Sequence, residues 1–204
     1  MIKHYMPPVI GYHGCEKSIA EEVLNGKAIL NNSQNDYDWL GSGVYFWVDS
    51  FERGYEWAKK SSSIKDPYVI GAFIYPKNCL NLTDYGVSTL LKESYKEYKM
   101  LCEISGIELP KNDVIQNGIY MRRKLDCSII NYIHSIREDQ SKEAFDSVYG
   151  VFEEGSSIYP NSGINEKTHI QLAVRNHDCI IGYFRPKELS EYYIKETNNA
   201  NHKR

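Results

Sequence analysis

The sequence lacks any long apolar run. No window approaches the roughly 20 residues needed to cross a bilayer core, and the N-terminus has no charged segment leading into an apolar one, so neither a membrane span nor a secretory signal is expected. Cysteine is sparse and unpaired in spacing: 5 residues, Cys15, Cys79, Cys102, Cys127 and Cys179, with no C-x-x-C. That pattern argues against zinc and against a disulfide framework. It fits reduced, buried thiols in a cytoplasmic protein. Charge of one sign is also missing. With 24 Lys+Arg against 27 Asp+Glu the net charge is -3, so no long-range field draws in nucleic acid and any such contact needs a local patch. The short basic runs Arg122-Arg123-Lys124 and Lys59-Lys60 read as solvated faces. No internal repeat is visible, and 204 residues suit a single domain spanning 1–204.

Aromatic residues are plentiful, with 17 Tyr and 3 Trp, and they concentrate where the chain is organised. Val9 to His13 reads as a strand ended by Gly14. Ser18 and Glu21 have capping-box spacing before a short helix. Asn31 to Asp36 reads as a mobile polar loop. Trp39-Leu-Gly-Ser-Gly-Val-Tyr-Phe-Trp47 leads into a strand from Val44 to Val48, and Ser50 can cap a helix reaching Lys60. Tyr68 to Tyr75 is a central strand, and Asn78 to Leu82 a short extended one. Two amphipathic helices, about 88–105 and 125–137, form a helical insertion at about 86–140. Strands return near 147–152, 168–174 and 178–184, before a frayed tail at 198–204. The sum is a mixed α+β domain.

Gly41-Ser42-Gly43 precedes a strand instead of opening a helix, so it is no dinucleotide fingerprint, and it lacks the Lys of a phosphate loop. Taken together, Tyr12-His13-Gly14 and Gly41-Ser42-Gly43-Val44-Tyr45-Phe46 followed by a helix resemble the first two motifs of the ADP-ribosyltransferase superfamily, in its His-Tyr-Glu class of diphtheria-type toxins and poly-ADP-ribose polymerases. The resemblance covers Val9 to Ala58 and Thr168 to Val174. It implies a split antiparallel β-sandwich with peripheral helices, NAD as co-substrate and no metal. It also implies that His13 and Gly14, with Tyr12 and Gly43 beside them, hold the cofactor, that Tyr45 stacks on nicotinamide, and that Trp57, or Tyr55, supplies a second ring. The family's third element is a glutamate near the start of a late strand. Here Gln171 stands there. An amide can hydrogen-bond a ribose hydroxyl but cannot act as a base, so Glu154, Glu153 or Glu166 is expected to supply one. His169 shares a face with Gln171 by alternation and is expected on the acceptor side. Arg175 and Asn176 are read as a salt-bridged surface pair, with contact to phosphate or acceptor as the alternative.

The function so implied is NAD-dependent mono-ADP-ribosylation of a macromolecule by a bacterial toxin or phage-defence effector, with RNA preferred slightly over protein or DNA. A cognate antitoxin protein is implied by the resemblance alone. The alternatives are a weakly active NAD or ADP-ribose binding module and an RNA 2′-phosphotransferase-like enzyme.

Overall fold

The computed structural model describes residues 6–187. A double proline delivers the chain in extended form into strand β1 (Val9–Glu16). The strand continues past Gly14, where the sequence predicted its end. It does so because it pairs along its whole length with β3 (Pro67–Ile74), from Val9 opposite Ile74 to Glu16 opposite Pro67. Its other edge meets β2 (Val44–Val48) at two positions only, Gly11 opposite Val48 and Tyr12 opposite Trp47. Beyond Tyr12 the strands part, and the sheet forks at His13.

Strand β2 pairs next with β8 (His169–Val174), from Val44 opposite Val174 to Trp47 opposite Gln171. β8 pairs with β7 (Ser147–Phe152), and β7 runs parallel to the short β4 (Cys79–Asn81). On the other side β3 pairs with β9 (Ile180–Phe184). All seven strands form one mostly antiparallel sheet in the order β4-β7-β8-β2-β1-β3-β9. The architecture is α+β. Each face carries a core, as strand alternation requires. Val44, Phe46, Val48, Leu172 and Val174 join Ala20 and Val23 of helix α1 (Lys17–Leu24) on one side. Leu40, Val148, Phe152 and Ala173 pack with Ile129, Ile130 and Ile133 of helix α4 (Lys124–Asp139) on the other.

Helix α2 (Phe51–Lys60) lies directly on β1. A Cβ at position 14 would stand 2.3 Å from the Gly54 carbonyl oxygen, so glycine there admits backbone contact between helix and strand. Neither predicted serine cap forms. Ser18 lies inside α1, whose N-cap is Glu16, and Glu21 instead binds Arg185 at 2.7 and 2.9 Å. Ser50 occupies the N-cap of α2 without a side-chain bond. The loop expected to be mobile is tied down: Ser33 bridges Gly43 through backbone bonds of 2.8 and 3.2 Å, and its hydroxyl donates to Asp38 at 2.6 Å. Within the insertion, helix α3 (Val87–Ser105) ends on left-handed Gly106 (φ 66), the residue type that such a C-terminus favours. The segment between α3 and α4 corrects the expectation of a purely helical block. It forms a hairpin, β5 (Asp113–Gln116) and β6 (Ile119–Arg122), turning through Asn117-Gly118 at φ 50 and 79. Asn-Gly is the residue pair such turns favour. The expected frayed tail at 198–204 lies outside the described residues.

Two outcomes follow from this packing. Gly14→Ala forces the backbones of β1 and α2 apart and is expected to cost about 1–3 kcal/mol, as overpacking does, read as a lower urea midpoint. His134, on α4, is 8% exposed with its Nε2 unpaired. Burial, then the charges of Arg175 and Arg137, lower its pKa to about 3. Its folded pKa is therefore below the unfolded value of about 6.5, and the unfolded chain takes up the proton first. Stability is full above about 6.5 and is lost as pH falls toward 3, by up to about 1.4 kcal/mol per pH unit from this group. Urea midpoints at pH 7, 6 and 5 should fall less steeply in His134→Phe.

Candidate functional site

Where β1 and β2 part, His13 takes over the missing ladder. Its Nδ1 lies 2.8 Å from the Tyr45 carbonyl oxygen, and its ring is 5.8 Å from that of Phe46. A carbonyl only accepts, so Nδ1 carries the proton. Burial lowers the pKa of His13, against the opposing hydrogen bond to Tyr45. The ring is therefore neutral, and Nε2 is left with its lone pair. The β2-facing edge of β1 beyond Tyr12 has no ladder partner from β2.

Tyr45 holds the preceding turn. Its hydroxyl accepts from the Leu40 amide at 2.8 Å and donates to the Gly41 carbonyl at 2.6 Å. Burial first, then the Asp38 charge, pushes its pKa well above 10. Gly41 sits at φ 71 with the Asn131 side chain close by, whose oxygen accepts from the Ser42 amide at 3.0 Å. Any stacking by Tyr45 must use its ring, because the hydroxyl is engaged. The Gly43 backbone is likewise committed to Ser33. Tyr12 packs edge-on to Phe51 and Phe184 within the core. Of the two candidate second rings, Tyr55 stacks on Phe51 at 6.1 Å, whereas Trp57 is 48% exposed and leans on Trp47 at 5.7 Å.

Gln171 is opposite Trp47 on β2 and shares its face with His169. The two side chains touch, with Gln171 Nε2 and His169 Nε2 2.9 Å apart. On the far side of the imidazole, Nδ1 lies 2.7 Å from the Lys167 carbonyl oxygen. Nδ1 must therefore donate. Burial lowers the pKa of His169 despite that bond, so Nε2 is an acceptor and the Gln171 amide group donates to it. This fixes the amide's orientation and leaves Gln171 Oε1 as an acceptor. A ring sandwich holds His169: Trp39 stacks on it at 6.1 Å and Phe152 flanks it at 6.0 Å.

Charges gather beside this pair. Arg53 on α2 donates to Glu154 at 2.7 Å and also to Glu56, and Glu154 lies 3.9 Å from His169 Nδ1. Lys167 closes the group through Glu56 at 2.7 Å. Burial raises the Glu56 pKa, but hydrogen bonds from Lys167 and Lys60, with the Arg53 charge, outweigh it and bring the value down to about 2. Glu153 and Glu166 are exposed. Arg53 Nε and Trp47 Nε1 are buried donors without partners.

Sequence reasoning did not single out Arg53, Glu56 or Lys167 as a unit. The Arg53/Glu56 spacing of three on one helix is a legible pair, but its link to Glu154 is long-range. Arg123, read as part of a solvated face, is wedged over Trp39 at 4.2 Å and Phe152 at 4.8 Å. Arg175 and Asn176 brace the fold, donating to Ser42 at 3.0 Å and Asp146 at 2.7 Å. Two surface depressions flank the charged group, one of about 570 Å³ along α2 and one of about 250 Å³ under the β5–β6 hairpin. Both reach Glu166 and Lys167, and neither is lined by His13, Tyr45 or Gln171. The groups at the fork lie between strands, where concavity alone does not mark them. Among the described residues no cluster of His, Cys, Asp or Glu could hold a metal ion, and no helix is long and apolar enough to cross a membrane.

No protein-family model matches the chain. It is similar to an uncharacterized protein of Methanocaldococcus jannaschii, at 26% identity over 91% of this chain and 88% of that protein.

The Arg53–Glu154 pair is only 17% and 19% exposed, so removing one partner strands the other charge. Arg53→Met is expected to lower stability by about 2 kcal/mol, below the range for fully buried pairs because water still reaches this one. Equilibrium urea unfolding reads the loss, and Glu154→Gln should recover part of it in the double variant.

Proposed function

We propose that the protein is an NAD-dependent ADP-ribosyltransferase acting on a macromolecule, with RNA ranked ahead of protein or DNA as acceptor. The supporting observation is the pair of oriented neutral acceptors on either side of β2, His13 Nε2 at the sheet fork and Gln171 Oε1 beside it. Both are fixed by a carbonyl that forces the histidine tautomer. Such acceptors suit sugar hydroxyls, and the edge of β1 that β2 leaves beyond Tyr12 would offer backbone groups for an amide. His13 stands on the Phe46 side of the sheet and Gln171 on the Trp47 side. A ligand engaging both passes through the fork.

In the proposed reaction the bond between ribose C1′ and the nicotinamide nitrogen breaks. Nicotinamide leaves with the electron pair as a neutral ring, the acceptor nucleophile bonds to C1′, and its proton passes to a base. The sugar carries oxocarbenium character on the way, which a site stabilises by geometry and negative charge. Gln171 would hold a ribose hydroxyl without supplying that charge. Glu154 is the carboxylate that the network brings beside His169, so it is assigned the base role ahead of Glu153 and Glu166. Trp57, with its open ring, and Tyr45 would bracket the nicotinamide.

One observation favours a second reading. Glu154 is paired with Arg53, and an amide stands at 171, an arrangement equally suited to binding NAD with little turnover. Incubation with NAD labelled on its adenylate side separates the two. Transferase activity gives nicotinamide release and macromolecular label, both reduced about a hundredfold in Glu154→Gln, the size of a lost general base. Binding by calorimetry with neither product establishes the binding module. Full activity in Gln171→Ala or His13→Ala sinks this assignment of the site.

A further inference from the structure

The β5–β6 hairpin builds one wall of the smaller depression. Gln116, Asn117, Ile119 and Met121 face the β7–β8 connection across a volume of about 250 Å³, with Ser156 and Glu166 opposite. Asn117 Nδ2 reaches Ser156 Oγ at 3.4 Å, tying hairpin to loop. Glu154 and Lys167 also reach the depression, so it adjoins the Arg53–Glu154–His169 network.

We propose that this depression is the acceptor site of the transferase and takes an unpaired nucleobase of a single-stranded nucleic acid. The inference rests on the function proposed above. Charge accounting within the lining drives the choice. Arg53, Lys60 and Lys167 share Glu154 and Glu56, which leaves one positive charge that Glu166 offsets. The rest of the lining is neutral: the Gln116 amide, the Asn117 side-chain oxygen and the apolar Ile119 and Met121. A cationic side chain would meet Lys167 with no net negative charge to hold it. An aliphatic one would cover the amides without pairing them, at a cost of about 1–3 kcal/mol per group. A base presents a donor and acceptor edge to amides and carboxylate, and apolar faces to Ile119 and Met121. Tyr159, 58% exposed on the loop beyond Ser156, offers a ring on which a neighbouring base can stack.

The step then balances within the site. A ring or exocyclic nitrogen of the base bonds to ribose C1′ as the nicotinamide bond breaks, and the nitrogen's proton passes to the Glu154 carboxylate, which reaches the depression. Nicotinamide carries away the electron pair of the broken bond.

The test uses the full chain, fluorescent single-stranded oligoribonucleotides and oligodeoxyribonucleotides of mixed sequence, and two uncharged variants at hairpin positions that line the depression, Gln116→Leu and Met121→Gln. Anisotropy titration without NAD is expected to show binding to single strands, weakened at least tenfold in Gln116→Leu and Met121→Gln, with melting temperatures kept within a few degrees. The RNA and DNA arms establish which sugar is preferred. Binding of both variants at the native strength overturns the site, as does the absence of binding to either strand type. With labelled NAD, nuclease-sensitive label supports the site, and label confined to protease-sensitive material overturns the choice of acceptor. Nicotinamide release with no acceptor added is scored separately and reports on the transferase reading alone.

Discussion

The structure depends on the two-residue junction between β1 and β2. Strand β1 is committed to β3 over eight positions, and β2 is committed to β8 over four. Each strand follows its own neighbour's twist, and adjacent strands in a sheet rotate by about 20–25° on average. The pairing between them survives only at Gly11–Val48 and Tyr12–Trp47. Buried backbone groups at such a parting need partners, and the His13 imidazole answers one of them at Tyr45. Helix α2 holds the parting in place from above, where it rests on Gly14 through the Gly54 backbone. A larger residue at 14 would lift the helix, and with it Arg53, away from β8.

The same helix explains why the charged group lies beside Gln171 and not elsewhere. Phe51, Gly54 and Ala58 are the buried positions of α2, which places Arg53 and Glu56 toward the β7–β8 end of the molecule. Glu154 and Lys167 flank the loop there, their backbones joined by a bond of 2.9 Å. A loop closed in this way projects its side chains from a braced base. The charges on α2 then meet it at defined distances rather than as a solvated cloud.

Much of the framework was legible because it is local. The β-branched and aromatic run at 44–48, the helix stopped by Gly106 and the alternation at 169–174 each carry their signal within a few residues. Alternation even placed His169 with Gln171. Tertiary competition decided what the sequence left unread. Gly14 looked like a strand end because glycine punctuates, yet here it admits a helix backbone. Ser18 had capping spacing, but its partner Glu21 found Arg185. The Asn117-Gly118 turn is a local hairpin signal, but strands as short as β5 and β6, four residues each, carry little pattern beside the long helical periods on either side. The Arg53–Glu154 pair, 101 residues apart, leaves no mark in sequence at all.

An amide at 171 is also consistent with what surrounds it. The Lys167 carbonyl compels His169 to carry its proton on Nδ1, so Nε2 faces position 171 with a lone pair. A carboxylate at 2.9 Å would set lone pair against lone pair unless the imidazole took a second proton. That cation would then sit almost fully buried, and burial with the charges of Arg53 and Arg123 already outweighs the Lys167 carbonyl and the Glu154 charge that favour it. Burying a further charge pair seldom recovers its desolvation cost. Glutamine satisfies the imidazole with a donor and still turns an acceptor outward. The negative charge of the site is instead carried by Glu154 and Glu56, where Arg53 and Lys167 can meet it. The neutral acceptors at His13 and Gln171, and the charge carried by α2 and its facing loop, are two parts of one electrostatic arrangement.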